Sequence, residues 1–224
     1  MKIVLCFFVI LYANIRQMTS KVDNSSDCRV LLSSRIIDKA TEMFLTKGIK
    51  AVKMDDVAND LSISKRTLYE IFCNKEMLLL HCVRRLREER DDHFKNFNKS
   101  NHHSEIEMIL EYYRYQLRRS SNVSIKFVKE LQKYPVVVKW LDESKRKEKA
   151  VAKSFFEQGV RNGYFREDVN FKLVGDYAEI AITNSMENGL MDKYGIQEVF
   201  RNITMLYVRG FCTLKGIEEL EKML

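Results

Sequence analysis

The chain has 224 residues, of which 46% are hydrophobic and 31% are charged, and this balance excludes global disorder. A single proline and only eight glycines disfavour a strand-rich fold with many tight turns, and they favour helices instead. The net charge of +7 is compatible with nucleic-acid binding but does not by itself indicate it.

Residues 3–13, IVLCFFVILYA, form an apolar run near the N-terminus. The run is too short to cross a bilayer as a helix, which requires about 20 residues. It fits the apolar segment of a secretory signal peptide, although Leu11, two residues before Ala13, makes a poor cleavage context. Three interpretations stay open: a native chain that begins at Met18, a signal or anchor, and an unusual apolar arm.

The first predicted helix covers residues 33–48, SSRIIDKATEMFLTKG. Its apolar residues recur at helical spacing and form one stripe, which is typical of a helix with one buried face. We expect Ser33 or Ser34 to cap its start and Gly48 to cap its end.

Two shorter helices are predicted over residues 54–61 and 64–72. Ser64 is a good N-cap for the second, since its hydroxyl can accept the backbone N–H of Thr67. Helices this short have little stability alone and must be held by packing. The sequence therefore predicts that the two helices clasp each other through five apolar residues: Val57, Ala58, Leu61, Ile63 and Leu68.

This pair has the signature of a helix-turn-helix motif at about residues 52–71. Leu68 and Ile71 of its second helix point inward at helical spacing, and the opposite arc is polar. That arc carries Lys65, Arg66, Tyr69 and Glu70. Such a helix would present cationic and hydroxyl groups to a groove or a phosphate backbone. The alternative is a helical hairpin with a solvated basic face.

The chain beyond residue 74 continues at helical period. A fourth, longer helix is expected to begin near residues 74–75, and Pro135 fits the first turn of a later one. Further helices are predicted near residues 104–119, 122–133, 136–162, 171–191 and 196–214. No alternation of strands and helices suggests a nucleotide-binding sheet, so the sequence predicts an all-α protein.

Residues 36–83 carry a specific pattern: A-x-x-x-F-x-x-x-G, then V-A, then S-K-x-T-L-Y-x-x-F-x-x-K-E-x-L. In order and spacing this segment resembles the DNA-binding domain of TetR-family transcriptional regulators, whereas the remaining chain resembles the family only in outline. The resemblance implies an N-terminal three-helix helix-turn-helix domain and a larger C-terminal helical domain for ligand binding and dimerisation. We expect these domains to cover residues 29–89 and 90–224, after an N-terminal extension of residues 1–28.

The resemblance also implies a set of DNA contacts. Thr67, Tyr69 and Lys75 match positions that grip DNA phosphates in the family. Lys65 and Arg66 match positions that reach the major groove, where an arginine can pair with the acceptor edge of guanine. With the capping serine included, the predicted DNA-binding residues are Ser64, Lys65, Arg66, Thr67, Tyr69 and Lys75.

Three residues depart from the family pattern. Ser62 stands where the family often has glycine in the turn, and serine adopts a left-handed conformation only at some cost. Lys53 stands where a serine or threonine often caps the second helix, so that cap is expected to be lost. Glu70 would repel a phosphate that it faced, although it can accept a hydrogen bond from cytosine N4. These departures leave the operator sequence open.

Small residues interrupt the apolar stripes of the last two predicted helices, 171–191 and 196–214. Small residues let helices approach closely, and two such helices from each subunit would form a four-helix, two-fold interface. The predicted interface residues are Ala178, Ala181, Ile182, Ile203, Tyr207 and Gly210. The alternative is that both stripes are intramolecular core.

An effector pocket is expected among the middle helices of the C-terminal domain. The candidates for its wall are Phe127, Trp140, Phe155 and Tyr177. Aromatic residues at helical spacing are also typical of an ordinary core, and this alternative stays open.

Enzyme motifs are missing from the sequence: H-E-x-x-H, G-x-S-x-G, a Walker loop and G-x-G-x-x-G do not occur. The five cysteines are an odd number, widely spaced and without C-x-x-C, which is poor evidence for disulfides or a zinc site. We therefore expect no catalytic residues, no metal, no cofactor and a reducing compartment.

Together these features predict a homodimeric, ligand-responsive repressor that binds a palindromic operator in double-stranded DNA through the major groove. Its effector would be an unidentified small molecule. We expect a cytoplasmic, nucleoid-associated protein with no membrane partner, in which residues 3–13 do not act as a signal peptide. The alternative is a membrane-tethered helical interaction module that uses residues 3–13 as its anchor.

Overall fold

The computed structural model describes residues 28–100 and 103–224, apart from the side chains of Ser100 and residues 146–150. Within these ranges the regular structure is helical, with one isolated bridge between Phe165 and Cys212. The helices are α1 (Cys28–Lys47), α2 (Met54–Asp60), α3 (Lys65–Ile71), α4 (Lys75–Ser100), α5 (Glu105–Ser120), α6 (Ile125–Leu131), α7 (Pro135–Arg161), α8 (Phe171–Glu187), α9 (Leu190–Tyr194), α10 (Ile196–Phe211) and α11 (Leu214–Met223). The all-α prediction is thus confirmed, while the apolar run 3–13 and Met18 lie outside the described residues.

The N-terminal boundary of α1 differs from the prediction. The helix begins at Cys28, so Ser33 and Ser34 lie inside it and the prediction that one of them caps its start was wrong. Gly48 ends α1 as expected, because its φ of +88° lets its N–H donate to the carbonyl of Phe44 at 3.0 Å.

The C-terminal helices also differ in part. The predicted helix 171–191 divides at Asn188 and Gly189 into α8 and the short α9, with Gly189 at a φ of +72°. Helix α11 was not predicted. Pro135 begins α7, in agreement with the expected position of its missing amide.

The described chain forms two compact units. The N-terminal unit contains residues 28–93 together with Asn122–Trp140, and the C-terminal unit contains Phe94–Ser121 together with Leu141–Leu224. The segment Asn122–Trp140, assigned from sequence to the C-terminal domain, therefore clusters with the N-terminal unit.

Helices α1 to α4 supply the core of the N-terminal unit, in which Ile36, Ala40, Leu68, Leu78 and Leu79 are fully buried. Burial of a leucine or isoleucine side chain stabilises the fold by about 1.5–3 kcal/mol relative to exposure.

Helix α6 closes this core at the C-terminal end of α1. The Ser124 N–H donates to the carbonyl of Leu45 at 2.8 Å. The Glu130 carboxylate accepts from the Lys50 N–H at 2.6 Å, in the loop that leads to α2. The loop before α2 is therefore held in place by α6, which comes far along the chain but belongs to the same unit.

An aromatic cluster dominates the core of the C-terminal unit. Phe156, Phe165, Phe171 and Phe211 pack with ring centroids 4.5–6.1 Å apart. Aromatic pairs at such distances add to the stabilisation that comes from burial alone.

Among the described residues, no helix is both long enough and apolar enough to cross a bilayer.

Candidate functional site

A tight turn at Ser62 joins α2 to α3. Ser62 has a φ of +52°, and its N–H donates to the carbonyl of Asn59 at 3.1 Å. The next N–H, that of Ile63, donates to the carbonyl of Ala58 at 3.0 Å. These two bonds form a Schellman motif, which normally places glycine at the left-handed position. Serine in place of glycine at position 62 therefore strains the backbone of this turn.

The clasp between α2 and α3 is buried as predicted at its centre. Val57, Ala58 and Leu68 are all 0% exposed, and Leu61 and Ile63 are half-buried around them. Because α3 has only seven residues, this packing is what holds it as a helix.

The start of α3 is capped as the sequence indicated. Ser64 Oγ accepts from the Thr67 N–H at 3.0 Å and lies 2.8 Å from the Thr67 hydroxyl. The start of α2 lacks a side-chain acceptor, because Lys53 has none to offer. There the Asp56 carboxylate accepts from the Lys53 N–H at 2.7 Å and supplies half of a capping box.

The outer face of α3 is polar and exposed. The side chains of Lys65 and Arg66 are 63% and 89% exposed, and Tyr69 is 47% exposed. Lys65 pairs with Asp55 at 2.5 Å and Arg66 pairs with Glu70 at 2.8 Å. The hydrogen bond to Asp55 raises the pKa of Lys65. Both cations of this face are therefore present as exposed ion pairs.

The role of Asp55 as a partner of Lys65 was not predicted from the sequence. The interaction joins the first turns of two successive helices, and their spacing alone does not reveal it. Glu70, unexplained from sequence, is the i+4 partner of Arg66, and its backbone carbonyl also accepts from Arg29 at 3.2 Å.

Lys75 begins α4 and is half-buried. Its ammonium lies 6.0 Å from the ring centroid of Phe44. Burial lowers the pKa of Lys75, while the nearby carboxylates of Glu130 and Asp56 act in the opposite direction. Asn74 caps this helix by accepting a backbone N–H of the first turn at 2.9 Å. Lys75 thus lies at the positive, N-terminal end of a long helix, and its side chain is held against Phe44.

Two apolar stripes are exposed on α8 and α10. On α8, Leu173, Tyr177 and Ile180 are 52%, 58% and 56% exposed. On α10, Leu206 is 72% exposed, and a side chain at Gly210 would meet no atom of the chain within 4 Å.

The six residues predicted for a dimer interface are divided between interior and surface. Ala178 and Ile182 are buried within their own chain. Ala181, Ile203 and Tyr207 are half-buried, and Gly210 is exposed. These residues share one apolar stripe in the sequence, but the structure shows which of them are buried and which are exposed. The periodicity of the sequence does not distinguish the two groups.

A cavity of about 750 Å³ lies within the C-terminal unit. Helices α7, α8 and α10 and the segment between α7 and α8 line it, with apolar side chains that include Phe156, Val160, Phe171, Val174 and Val208. Four basic and four acidic residues also line the cavity, so their formal charges cancel.

The four residues predicted for a pocket are not brought together, and none of them lines this cavity. Phe127 is a core residue of the N-terminal unit, where Trp140 stacks under Arg84 at 5.7 Å. Phe155 belongs to the core of the C-terminal unit and Tyr177 is exposed. The alternative interpretation, that these aromatic residues pack in an ordinary core, describes Phe127, Trp140 and Phe155.

Thr204 in the cavity wall was also missed. It is 1% exposed, and its hydroxyl has no hydrogen-bond partner in the described structure. In the sequence, Thr204 is a polar residue within the apolar stripe of α10, and this position could have marked it as a buried polar group.

No cluster of metal-ligating side chains occurs in the portion of the chain that the structure describes. Among the described cysteines, Cys28 and Cys73 are exposed, whereas Cys82 and Cys212 are buried. Burial raises the pKa of both buried thiols to about 12.

The clasp, the turn and the exposed face of α3 define a helix-turn-helix protein with a second, helical unit. Residues 36–82 match the family model described as bacterial regulatory proteins, tetR family, which confirms the resemblance found in this segment of the sequence. The match lies within the segment that carried the resemblance in the sequence.

Solved structures share this fold along most of the chain. A TetR-family transcriptional regulator from Agrobacterium tumefaciens has 14% identity and a TM-score of 0.65, with 83% of this chain and 100% of that chain covered. Reduced NemR from E. coli has 13% identity and a TM-score of 0.63, covering 81% and 96%. The regulatory protein TetR from Rhodobacter sphaeroides has 14% identity and a TM-score of 0.62, covering 81% and 99%. No curated protein matched the sequence.

Proposed function

We propose that this protein is a sequence-specific DNA-binding regulator that places α3 in the major groove. The observation that carries the proposal is the outer face of α3, where Lys65, Arg66 and Tyr69 are exposed above a fully buried Leu68. Docking of this kind requires a short helix with a rigid inner face and a polar outer edge. No catalytic role is proposed.

The ion pairs of α3 are compatible with DNA binding because they exchange easily. Exposed pairs contribute about 0–1 kcal/mol, so a phosphate or a base edge can replace Asp55 or Glu70 as the partner of a cation. Arg66 is the residue proposed to read guanine. Before binding, Glu70 would hold Arg66 in an extended position along the helix.

Phosphate contacts would come from the hydroxyls and from Lys75. The Ser64–Thr67 contact fixes both hydroxyls at the start of α3, with Tyr69 one turn further on. Lys75, partly desolvated over Phe44, gains a counter-charge when a phosphate approaches the N-terminus of α4.

The functional form is proposed to be a two-fold homodimer. The exposed stripes of α8 and α10 offer an apolar face, centred on Tyr177, Ile180 and Leu206, that a second copy would cover. Ile203, Tyr207 and Gly210 border this face, whereas Ala178 and Ile182 support it from inside. Two reading helices would then meet half-sites about 34–36 Å apart, or a multiple of that distance.

The dimer is proposed to act as a repressor released by a small molecule. The cavity of the C-terminal unit is the proposed effector site. A bound effector would favour a dimer whose two reading helices no longer match the half-site spacing. The coupling is expected to be about 1–3 kcal/mol and reciprocal between effector and DNA.

Selection of bound fragments from the organism's own genomic DNA tests the proposal. We expect the full-length protein to enrich fragments that share an inverted repeat, and Arg66→Ala to change the enriched sequence at a defined base. The matched control is Lys222→Ala, a 71% exposed cation of the C-terminal unit, which should enrich the same repeat as the wild type. Recovery of no common sequence would contradict the proposal.

A further inference from the structure

The cavity of the C-terminal unit shares Ala178 and Tyr207 with the margin of the face proposed for dimerisation, but it does not include the exposed centre of that face. Tyr177, Ile180 and Leu206 carry that face, and none of them lines the cavity. A volume of about 750 Å³ falls within the range of about 300–1,000 Å³ that is usual for small-molecule sites. These two facts favour a small molecule over a second copy of the chain as its occupant.

Six of the eight charged residues of the cavity wall form ion pairs with one another. Three ion pairs join lining residues: Lys145–Glu179 at 2.7 Å, Lys153–Glu157 at 3.7 Å and Lys172–Asp176 at 3.5 Å. The first joins α7 to α8, and its side chains are only 17% and 21% exposed. An ionic ligand would lose its hydration against the apolar lining, and beside Lys145 or Glu179 it would also have to disrupt a partly buried pair, which is unfavourable.

Thr204 differs from other hydroxyl residues in the helices of this chain. Thr41, Thr46 and Ser185 each donate to the carbonyl four residues earlier, at 2.7–2.8 Å. Thr204 is more deeply buried, yet its hydroxyl bonds to no described group. A buried hydroxyl without a partner is uncommon, and because Thr204 lines the cavity, a small rotation of its side chain would let a ligand supply the missing partner.

Resting on the effector role proposed above, we infer that this cavity binds a neutral, mainly apolar small molecule whose polar group hydrogen-bonds to Thr204. The apolar lining supplies the attraction, and the paired charges select against ions. The hydroxyl of Thr204 fixes one end of the ligand, because it can donate or accept a hydrogen bond.

Displacement of a hydrocarbon probe from the full-length protein tests the charge preference. Diphenylhexatriene, which has no polar group, is expected to bind with one molecule per chain and to become fluorescent. The competitors are decan-1-ol, decanoate and decylammonium, each kept below the concentration at which it aggregates. We expect the alcohol to displace the probe at concentrations at least tenfold lower than either ion. Equal or better displacement by an ion would overturn the inference.

Matched variants test the role of Thr204. Thr204→Val removes the hydroxyl but keeps the shape, so it should weaken decan-1-ol binding about three- to tenfold and leave diphenylhexatriene binding unchanged. Thr183→Val is the control, since Thr183 is also buried but does not line the cavity. An unchanged affinity of Thr204→Val for the alcohol would remove Thr204 from the site.

Two cavity-filling variants locate the probe. Ala152→Leu on α7 and Val174→Phe on α8 should each weaken diphenylhexatriene binding at least tenfold while the helix content stays that of the wild type. Probe binding that both variants leave intact would place the probe elsewhere. Binding that increases as the protein is diluted to monomers would show that a second copy fills the cavity. Either result would overturn the inference.

DNA affinity is measured on the same preparations, so that the two proposals fail separately. Intact DNA binding without any binding of diphenylhexatriene would overturn the effector site alone. Probe binding without DNA binding would overturn the proposed regulator and leave the cavity's ligand preference standing.

Discussion

Ser62 is the one non-glycine residue in the described chain with a positive φ angle. The left-handed conformation costs a serine about 1 kcal/mol or more, and glycine adopts it freely. We therefore expect Ser62→Gly to raise the free energy of unfolding by about 0.5–1 kcal/mol in urea denaturation, allowing for the greater flexibility of glycine in the unfolded chain.

Ser33→Gly is the control for this change, because Ser33 lies in the right-handed interior of α1 in the same unit. There the same substitution should lower stability by about 0.5–1 kcal/mol. A loss of stability in Ser62→Gly would contradict the strain assigned to the turn.

The cysteines should differ in reactivity according to burial. A thiol reacts as its thiolate, and burial raises the pKa of Cys82 and Cys212 to about 12, so these thiols stay protonated and covered at pH 8. We expect peptide mapping after iodoacetamide treatment at pH 8 to find label on the exposed Cys28 and Cys73. Labelling of the other two should require denaturant. Equal rates for all four in the native protein would contradict the structure.

Sequence could predict some of these residue roles but not others. The cap by Ser64 was predicted from a local backbone rule, and the cost at Ser62 was expected from the family resemblance, in which glycine often occupies this turn. The pairing of Lys65 with Asp55 depends on how two helices are placed in space, and the pairing of Arg66 with Glu70 depends on a side-chain rotamer. The i,i+4 spacing permits the second pair, whereas no local rule indicates the first.

At the scale of elements, the long helices were predictable because each has enough residues to show an apolar period. Helix α9, with five residues, is too short for that. Helix α11 contains Gly216, which argues against a helix in the sequence alone. In the folded chain this glycine allows the helix to approach the backbone carbonyl of Tyr164, a contact that no local pattern reveals.

A matched pair of glycine substitutions tests this explanation of α11. A Cβ at Gly216 would overlap the backbone oxygen of Tyr164, so Gly216→Ala should destabilise the C-terminal unit by about 1–3 kcal/mol. A Cβ at Gly210 would meet nothing within 4 Å, so Gly210→Ala should keep or raise stability by up to about 1 kcal/mol through helix propensity. Thermal unfolding followed by circular dichroism measures both. Equal effects of the two changes would contradict the close contact.

At the scale of the whole molecule, the pattern from Ala40 to Lys75 was enough to predict the family model that residues 36–82 match and the two-part helical fold. The cavity was not predictable, because its wall combines residues from α7, α8 and α10 that only the packed chain brings together. The grouping of Asn122–Trp140 with the N-terminal unit is likewise a property of tertiary contacts.

The exposed stripes of α8 and α10 lead to a prediction about assembly. Leu206→Glu places a charge on the apolar face and should convert the proposed dimer to a monomer, because a desolvated carboxylate without a partner is unfavourable. The molar mass from light scattering measures this. Leu31→Glu is the control, since Leu31 is 64% exposed in the other unit, and it should leave the mass unchanged. A dimeric Leu206→Glu would contradict the placement of the interface.

The central claim is that α3 and the start of α4 bind DNA, and its most direct test is fluorescence anisotropy with a selected genomic fragment at several salt concentrations. We expect Tyr69→Ala and Lys75→Ala to weaken binding to all sequences. Lys75→Ala should also reduce the slope of log affinity against log salt by about 1, since one phosphate contact is lost. Lys222→Ala, a change of the same charge in the other unit, should bind as the wild type does. Wild-type affinity and salt dependence in both Tyr69→Ala and Lys75→Ala would contradict the claim.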